Sequence, residues 1–173
     1  LYNYFIPVNI HAGFGTDGMT TPEASTIAAA FANGAPTACI DRVKYKGEER
    51  VGISRNLWKA KVEERRQQLA PSTVAATSTY NNATRELSVT VTAKFYSEVA
   101  GDFRLNAFIV EDSVVGPNNN QFNQSNFLNT TAGHPMQGRG NPIIGYVHRH
   151  VERYAMGGAW GASGVVTSPT SNN

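Results

Sequence analysis

The residue types best spaced for chemistry are His148, His150 and Glu152, which alternate through Tyr146-Val147-His148-Arg149-His150-Val151-Glu152. Side chains two apart on a strand share a face, so the two imidazoles and the carboxylate would point the same way. Such a set could hold zinc or iron with coordination positions left open. The alternative assigns the same residues to a wet strand face, with Val147 and Val151 turned to the core. A second set lies between Gly116 and Gly140, where Phe122, Phe127, Leu128, Met136 and Arg139 interrupt an Asn/Gln-rich background. Apolar anchors among adaptable polar groups are what contact surfaces use. The segment is about twice as long as loops normally are without their own secondary structure, and such loops tend to be functional or disordered. It is therefore the expected binding surface; the competing reading has the anchors tie the loop down on the sandwich.

Catalysis finds less support. Cys39 is the single cysteine and sits between Ala38 and Ile40 in an apolar stretch, where a thiol lacks the base or partner it needs to become a nucleophile. His11 and His134 stand alone, so no Ser/His/Asp triad can be assigned. Glu111 and Asp112 are neighbours on a predicted strand and point to opposite faces, a poor arrangement for general acid and base. Gly138-Arg139-Gly140 is followed by no helix, which excludes a phosphate loop. The expectation is a chain with no catalytic residue and no cofactor.

Composition narrows the class further. Of 173 residues, 16% are charged and 40% hydrophobic, with 16 Asn, 15 Thr and 16 Gly. Ordinary domains carry roughly 25% charged residues, so neutral polar side chains cover this surface, as in exported β-rich proteins. A net charge of +2, without an RNA-binding motif or zinc-finger spacing, excludes a nucleic-acid partner. No apolar run reaches the roughly 20 residues that span a bilayer, and Leu1-Tyr2-Asn3 does not read as a signal peptide, so an export signal would lie upstream.

The elements that must position these residues change character near Pro71. Before it, Tyr4 to Ile10 reads as a mostly buried strand, and a glycine-rich turn follows at Gly13, Gly15 and Gly18. Thr20 and Glu23 fit a capping box for a helix from Glu23 to Ala32, ended by Asn33-Gly34. Ala35 to Asp41 reads as a short strand. Ser54 caps a second helix, with Ile53 stapled to Trp58 and with Leu57, Trp58, Val62 and Leu69 on its apolar side. After Pro71 the period is two: Leu87, Val89, Val91, Ala93 and Phe95 alternate with polar residues. Asn81-Asn82 turns this strand back onto Val74 to Tyr80, and Phe103 to Glu111 and Ile143 to Tyr154 supply two more. Only Thr167 to Asn173 reads as disordered.

Two resemblances attach to these segments. Asn9-Ile10-His11-Ala12-Gly13, a helix, Gly34-Ala35-Pro36-Thr37 before a strand, and a closing helix resemble the second half of a thioredoxin fold. That likeness implies a cis proline at Pro36 and a redox cysteine pair in a first half that lies outside this sequence. Asp102 to Asp112, Tyr146 to Arg153 and Gly158-Ala159-Trp160-Gly161 resemble the twenty-eight-kilodalton outer-membrane lipoprotein family of Gram-negative anaerobes. Membership implies a surface adhesin or receptor, facing a host or bacterial surface protein or glycan, whose parent is held in the outer membrane by an upstream lipid anchor.

The combined expectation is α+β: a truncated thioredoxin-like α/β half over residues 1–70, then an antiparallel β-sandwich over residues 71–173. The function expected is non-catalytic surface binding. Its rival is a thiol-disulfide oxidoreductase whose Cys-x-x-C pair lies upstream of this fragment.

Overall fold

The computed structural model describes residues 5–12, 15 and 17–170. Tyr4, Gly13 and residues 171–173, expected in a strand, a turn and a disordered tail, lie outside that set. The elements run α1 (Pro22–Phe31), β1 (Thr37–Ala38), β2 (Ile53–Ser54), a 3-10 turn (Arg55–Leu57), α2 (Trp58–Arg66), β3 (Ser72–Asn81), β4 (Glu86–Phe95), β5 (Phe108–Glu111) and β6 (Val151–Ala155). The architecture is mixed, mostly β, and its strand pairs are antiparallel. Each sheet formed by the described residues has two strands: β1–β2, β3–β4 and β5–β6.

The longest pair follows directly from the sequence pattern. β3 and β4 are registered over ten residue pairs, from Ser72↔Phe95 to Asn81↔Glu86. Asn81 makes the turn by accepting hydrogen bonds on Oδ1 from the N–H groups of Ala83 at 2.9 Å and Thr84 at 3.3 Å. Alternation puts Val74, Ala76, Tyr80, Leu87, Val89, Val91 and Phe95 on one face and the threonines on the other. The apolar face looks across an open furrow of about 390 Å³ at Ala107, Phe108, Ile109 and Met156. Two ribbons facing each other thus stand where full sandwich sheets were expected.

The first helix lies within a residue of its expected place, whereas the second is shorter than expected: its first turn is 3-10, the α-helix runs only from Trp58 to Arg66, and Leu57 and Leu69 fall outside it. The N-cap of α1 is Thr21, not Thr20: its Oγ1 accepts from the Ala24 N–H at 3.0 Å, and Pro22 takes the first helical position. At the other end Arg50 reaches back to the carbonyls of Ala29 and Ala32, where a cation offsets the helix dipole. Ser54 makes no side-chain cap. Trp58 is tied instead through Nε1, which donates to the Ile53 carbonyl at 3.0 Å. α2 buries no residue, and Leu69, assigned to its apolar side, is 99% exposed.

The first segment departs most from expectation. β1 and β2 are two residues each and pair only with each other. Of the predicted strand from Tyr4 to Ile10, the described residues contribute one parallel bridge, Asn9 to Val151, and Pro7 has no N–H to extend a ladder. Ala35–Pro36 is cis. The core forms where α1 packs on β6, with Met19, Ala24, Ile27, Val151 and Ala155 buried together with Ile53 and Ile143. Residues on both sides of Pro71 therefore share one core. Further ties cross the same point, including Gly18 N–H to Gln121 carbonyl at 3.1 Å and Phe31 edge-on to Trp160 at 5.6 Å.

Candidate functional site

The Gly116 to Gly140 segment is folded by its own amide side chains. Asn126 is buried; its Nδ2 donates to the carbonyls of Met136 and Gly140, both at 2.9 Å, and its Oδ1 accepts from Leu128 N–H at 3.2 Å. Asn129 Oδ1 accepts from Gly140 N–H at 2.8 Å, and Gln137 Oε1 from Gly133 N–H at 2.9 Å. Asn123 Nδ2 donates to Asn118 Oδ1 at 2.8 Å. These bonds satisfy backbone groups that no helix or strand serves, which is why a loop this long is compact. A bridge between Gln124 and Ile143 ties the middle of the loop to the chain that follows it.

Within this frame the five predicted contact residues separate, with Leu128 half-buried. Phe122 is turned inward: its ring lies against Gly18 and Gly116, where an added Cβ would come within 2.5 Å of Cζ and 2.0 Å of Cγ. It is an anchor between the N-terminal turn and the loop, not an outward contact. Phe127 is 85% exposed. Met136 is half-buried and Arg139 exposed, with Arg139 Nη1 at 3.7 Å from Met136 Sδ. Phe127 and Arg139 are therefore the outward members of the set, and the buried Asn126 fixes the backbone next to Phe127.

His148, His150 and Glu152 do not share one alternating face. His150 has φ +54°, which breaks the extended period, and regular strand begins only at Val151. Each residue has its own partner. His148 Nε2 donates to the Phe122 carbonyl at 2.8 Å. His150 Nδ1 lies 3.3 Å from Asp112, whose Oδ1 also accepts the His150 backbone N–H at 2.7 Å. Glu152 is wholly buried; its Oε2 accepts from Thr21 Oγ1 at 2.6 Å, and its Oε1 has no partner among the described residues. Among the described residues no group of three or more His, Cys, Asp or Glu has the geometry to hold a metal.

Further residues complete this junction. His11 Nδ1 donates to Asp17 Oδ2 at 2.8 Å, and the His11 ring stands edge-on to His148 at 5.2 Å, with Tyr146 on His148 at 4.9 Å. Thr21 serves twice, accepting from Ala24 and donating to Glu152, so one hydroxyl both starts α1 and satisfies one oxygen of a buried carboxyl group. The partners are separated by more than a hundred residues, and no local pattern could have paired them. Cys39 is half-buried; desolvation pushes its thiol above the ordinary range, with nearby Arg42 pulling weakly the other way.

Comparison with known families gives one decisive result: the model of the family "Outer membrane protein Omp28" matches residues 24–172. The chain belongs to the Omp28 family. Neither the comparison with curated proteins nor that with solved structures found a match. The match runs from within α1 through the folded loop to β6 and beyond, so the loop and the His148 to Glu152 side of the junction lie within the Omp28 region, whereas His11, Asp17 and Thr21 precede it. The family assigns the chain to the outer membrane. No helix among the described residues is long and apolar enough to cross a membrane.

Proposed function

We propose that this Omp28 member is a non-catalytic surface-binding domain, an adhesin or receptor, that contacts a surface protein or glycan through the Gly116 to Gly140 loop. The observation that carries the reading is Phe127, a large apolar ring left 85% exposed on a loop held rigid by the Asn126 network. A rigid scaffold that displays an aromatic anchor inside a polar rim loses little entropy on binding. Arg139 adds a charged group suited to carboxylates or sulfates on a glycan.

Cys39, half-buried with its thiol raised by desolvation, is a poor nucleophile, so the oxidoreductase alternative rests on the cysteine pair expected upstream. The test is binding of the purified chain to a panel of immobilised glycans and extracellular-matrix proteins. Phe127→Ala should lower the signal at least tenfold with no change in melting temperature, since an exposed ring contributes little to the fold. Equal binding by wild type and Phe127→Ala would place the contact elsewhere.

A further inference from the structure

The β3–β4 hairpin has an edge that nothing in the described structure occupies. In a two-stranded sheet, half of the backbone N–H and C=O groups of each strand point outward. Along β3 nine of ten residues are exposed. Proteins normally guard such an edge with lysine, proline or a bulge. β3, Ser-Thr-Val-Ala-Ala-Thr-Ser-Thr-Tyr-Asn, carries no charge and no proline, and its ten pairs with β4 are unbroken. β4 differs: it bears Glu86 and Lys94, and the segment from Val165 to Thr170 runs beside it around a cavity of about 340 Å³.

The two large apolar side chains of β3 are both left in water, Val74 at 63% exposed and Tyr80 at 53%. They share the apolar face and lie three residues to either side of Thr77. A two-fold axis at Thr77 would set β3 antiparallel to itself. Val74 of each copy would then lie opposite Tyr80 of the other, Ala76 opposite Ser78, Ala75 opposite Thr79, and Thr77 opposite its own counterpart. Every residue keeps its face in that register. Aromatic and β-branched partners are among the favourable cross-strand pairs, and no like charges meet.

We propose that β3 is a homotypic docking edge, through which two copies of this chain join their hairpins into one four-stranded antiparallel sheet centred on Thr77. The shared edge is about 30 Å long, and one strand edge of that length buries less surface than the roughly 2,000 Å² or more of a permanent dimer interface. The contact is therefore weak in dilute solution and favoured where copies are concentrated on one membrane surface, as an outer-membrane location provides.

Sedimentation velocity over about 10 to 500 µM tests it. Wild type should shift from monomer to dimer mass across that range. Ala75→Lys/Thr79→Lys sets lysine against lysine twice across the axis and should stay monomeric. Ala75→Lys/Thr79→Glu creates two opposite-charge pairs and should restore the dimer. Both doubles change exposed positions on the threonine face, across from Thr92 and Ser88 in their own hairpin, and circular dichroism checks their folding. Thr77→Cys in a Cys39→Ser background should form a disulfide-linked dimer on mild oxidation, whereas Thr84→Cys in the hairpin turn should not. A wild type that stays monomeric throughout, or two doubles with the same mass distribution, would overturn the proposal. So would equal cross-linking at the two cysteine positions.

Discussion

Phe122 offers a stringent test of how the 116–140 loop is held, because its ring is confined at both ends by glycine. A Cβ on Gly116 would approach Cγ to 2.0 Å and Cδ1 to 2.1 Å, and one on Gly18 would approach Cζ to 2.5 Å. Those atoms cannot swing aside together, since the space released at one end is closed at the other. Neither glycine has a positive φ, so alanine meets no backbone strain at either site. Gly116→Ala should then cost about 1–3 kcal/mol by overpacking, or roughly 2–12 °C in melting temperature for a chain of this size. Phe122→Ala should itself destabilise, by about 2–4 kcal/mol for a half-buried ring. The decisive measurement is the double variant. With the ring gone, Gly116→Ala should be neutral or stabilising by about 0.5 kcal/mol, because alanine only restricts the unfolded chain there. Urea unfolding followed by tryptophan fluorescence reads all four corners of the cycle. If Gly116→Ala is as costly without the ring as with it, the steric account is refuted.

Other consequences are more local. Thr21→Ala should destabilise by about 2–4 kcal/mol, losing the α1 cap and leaving Glu152 buried without its donor; Thr21→Ser should recover most of that in thermal melts. Asn126→Ala removes three side-chain bonds from the loop and should speed hydrogen exchange at Leu128 and Gly140 while leaving β3–β4 protected. Cys39 should react with a maleimide at pH 8 more slowly in the folded chain than in urea. Its folded pKa is raised, so the sign for stability follows: its contribution is full below the unfolded value and is lost as pH rises through the folded one. Faster reaction in the folded chain would contradict the burial argument.

What could be read along the chain was what neighbours along the chain decide. The alternation of Leu87 to Phe95 and the Asn81 turn specified the β3–β4 hairpin to within two residues at its ends, because a side-chain period and a turn amide act over a few positions. The cap of α1 was misplaced by one residue. Thr20 and Thr21 are equally able acceptors, and Thr21 is the one that also meets Glu152. The Asn-rich composition of 116–140 marked an unusual loop, and six asparagines without periodicity gave no sign of which would be the buried hub.

The tertiary structure alone settled the rest. His148, His150 and Glu152 looked like one face because alternation assumes an extended backbone, and the positive φ at His150 ends that assumption. Phe122 and Phe127 are chemically the same and five residues apart, yet one is pinned against two glycines and the other stands in water. Strand Phe103 to Glu111 shrank to Phe108–Glu111 because a strand needs a partner along its whole length, and β6 supplies only five residues, with a shift at Ile109/Val110. Local period sets which way a side chain can point. Which neighbours it meets depends on contacts between distant parts of the chain, here Asn9 with Val151, Gly18 with Gln121 and Thr21 with Glu152, whose energies carry no signature in the spacing of residues.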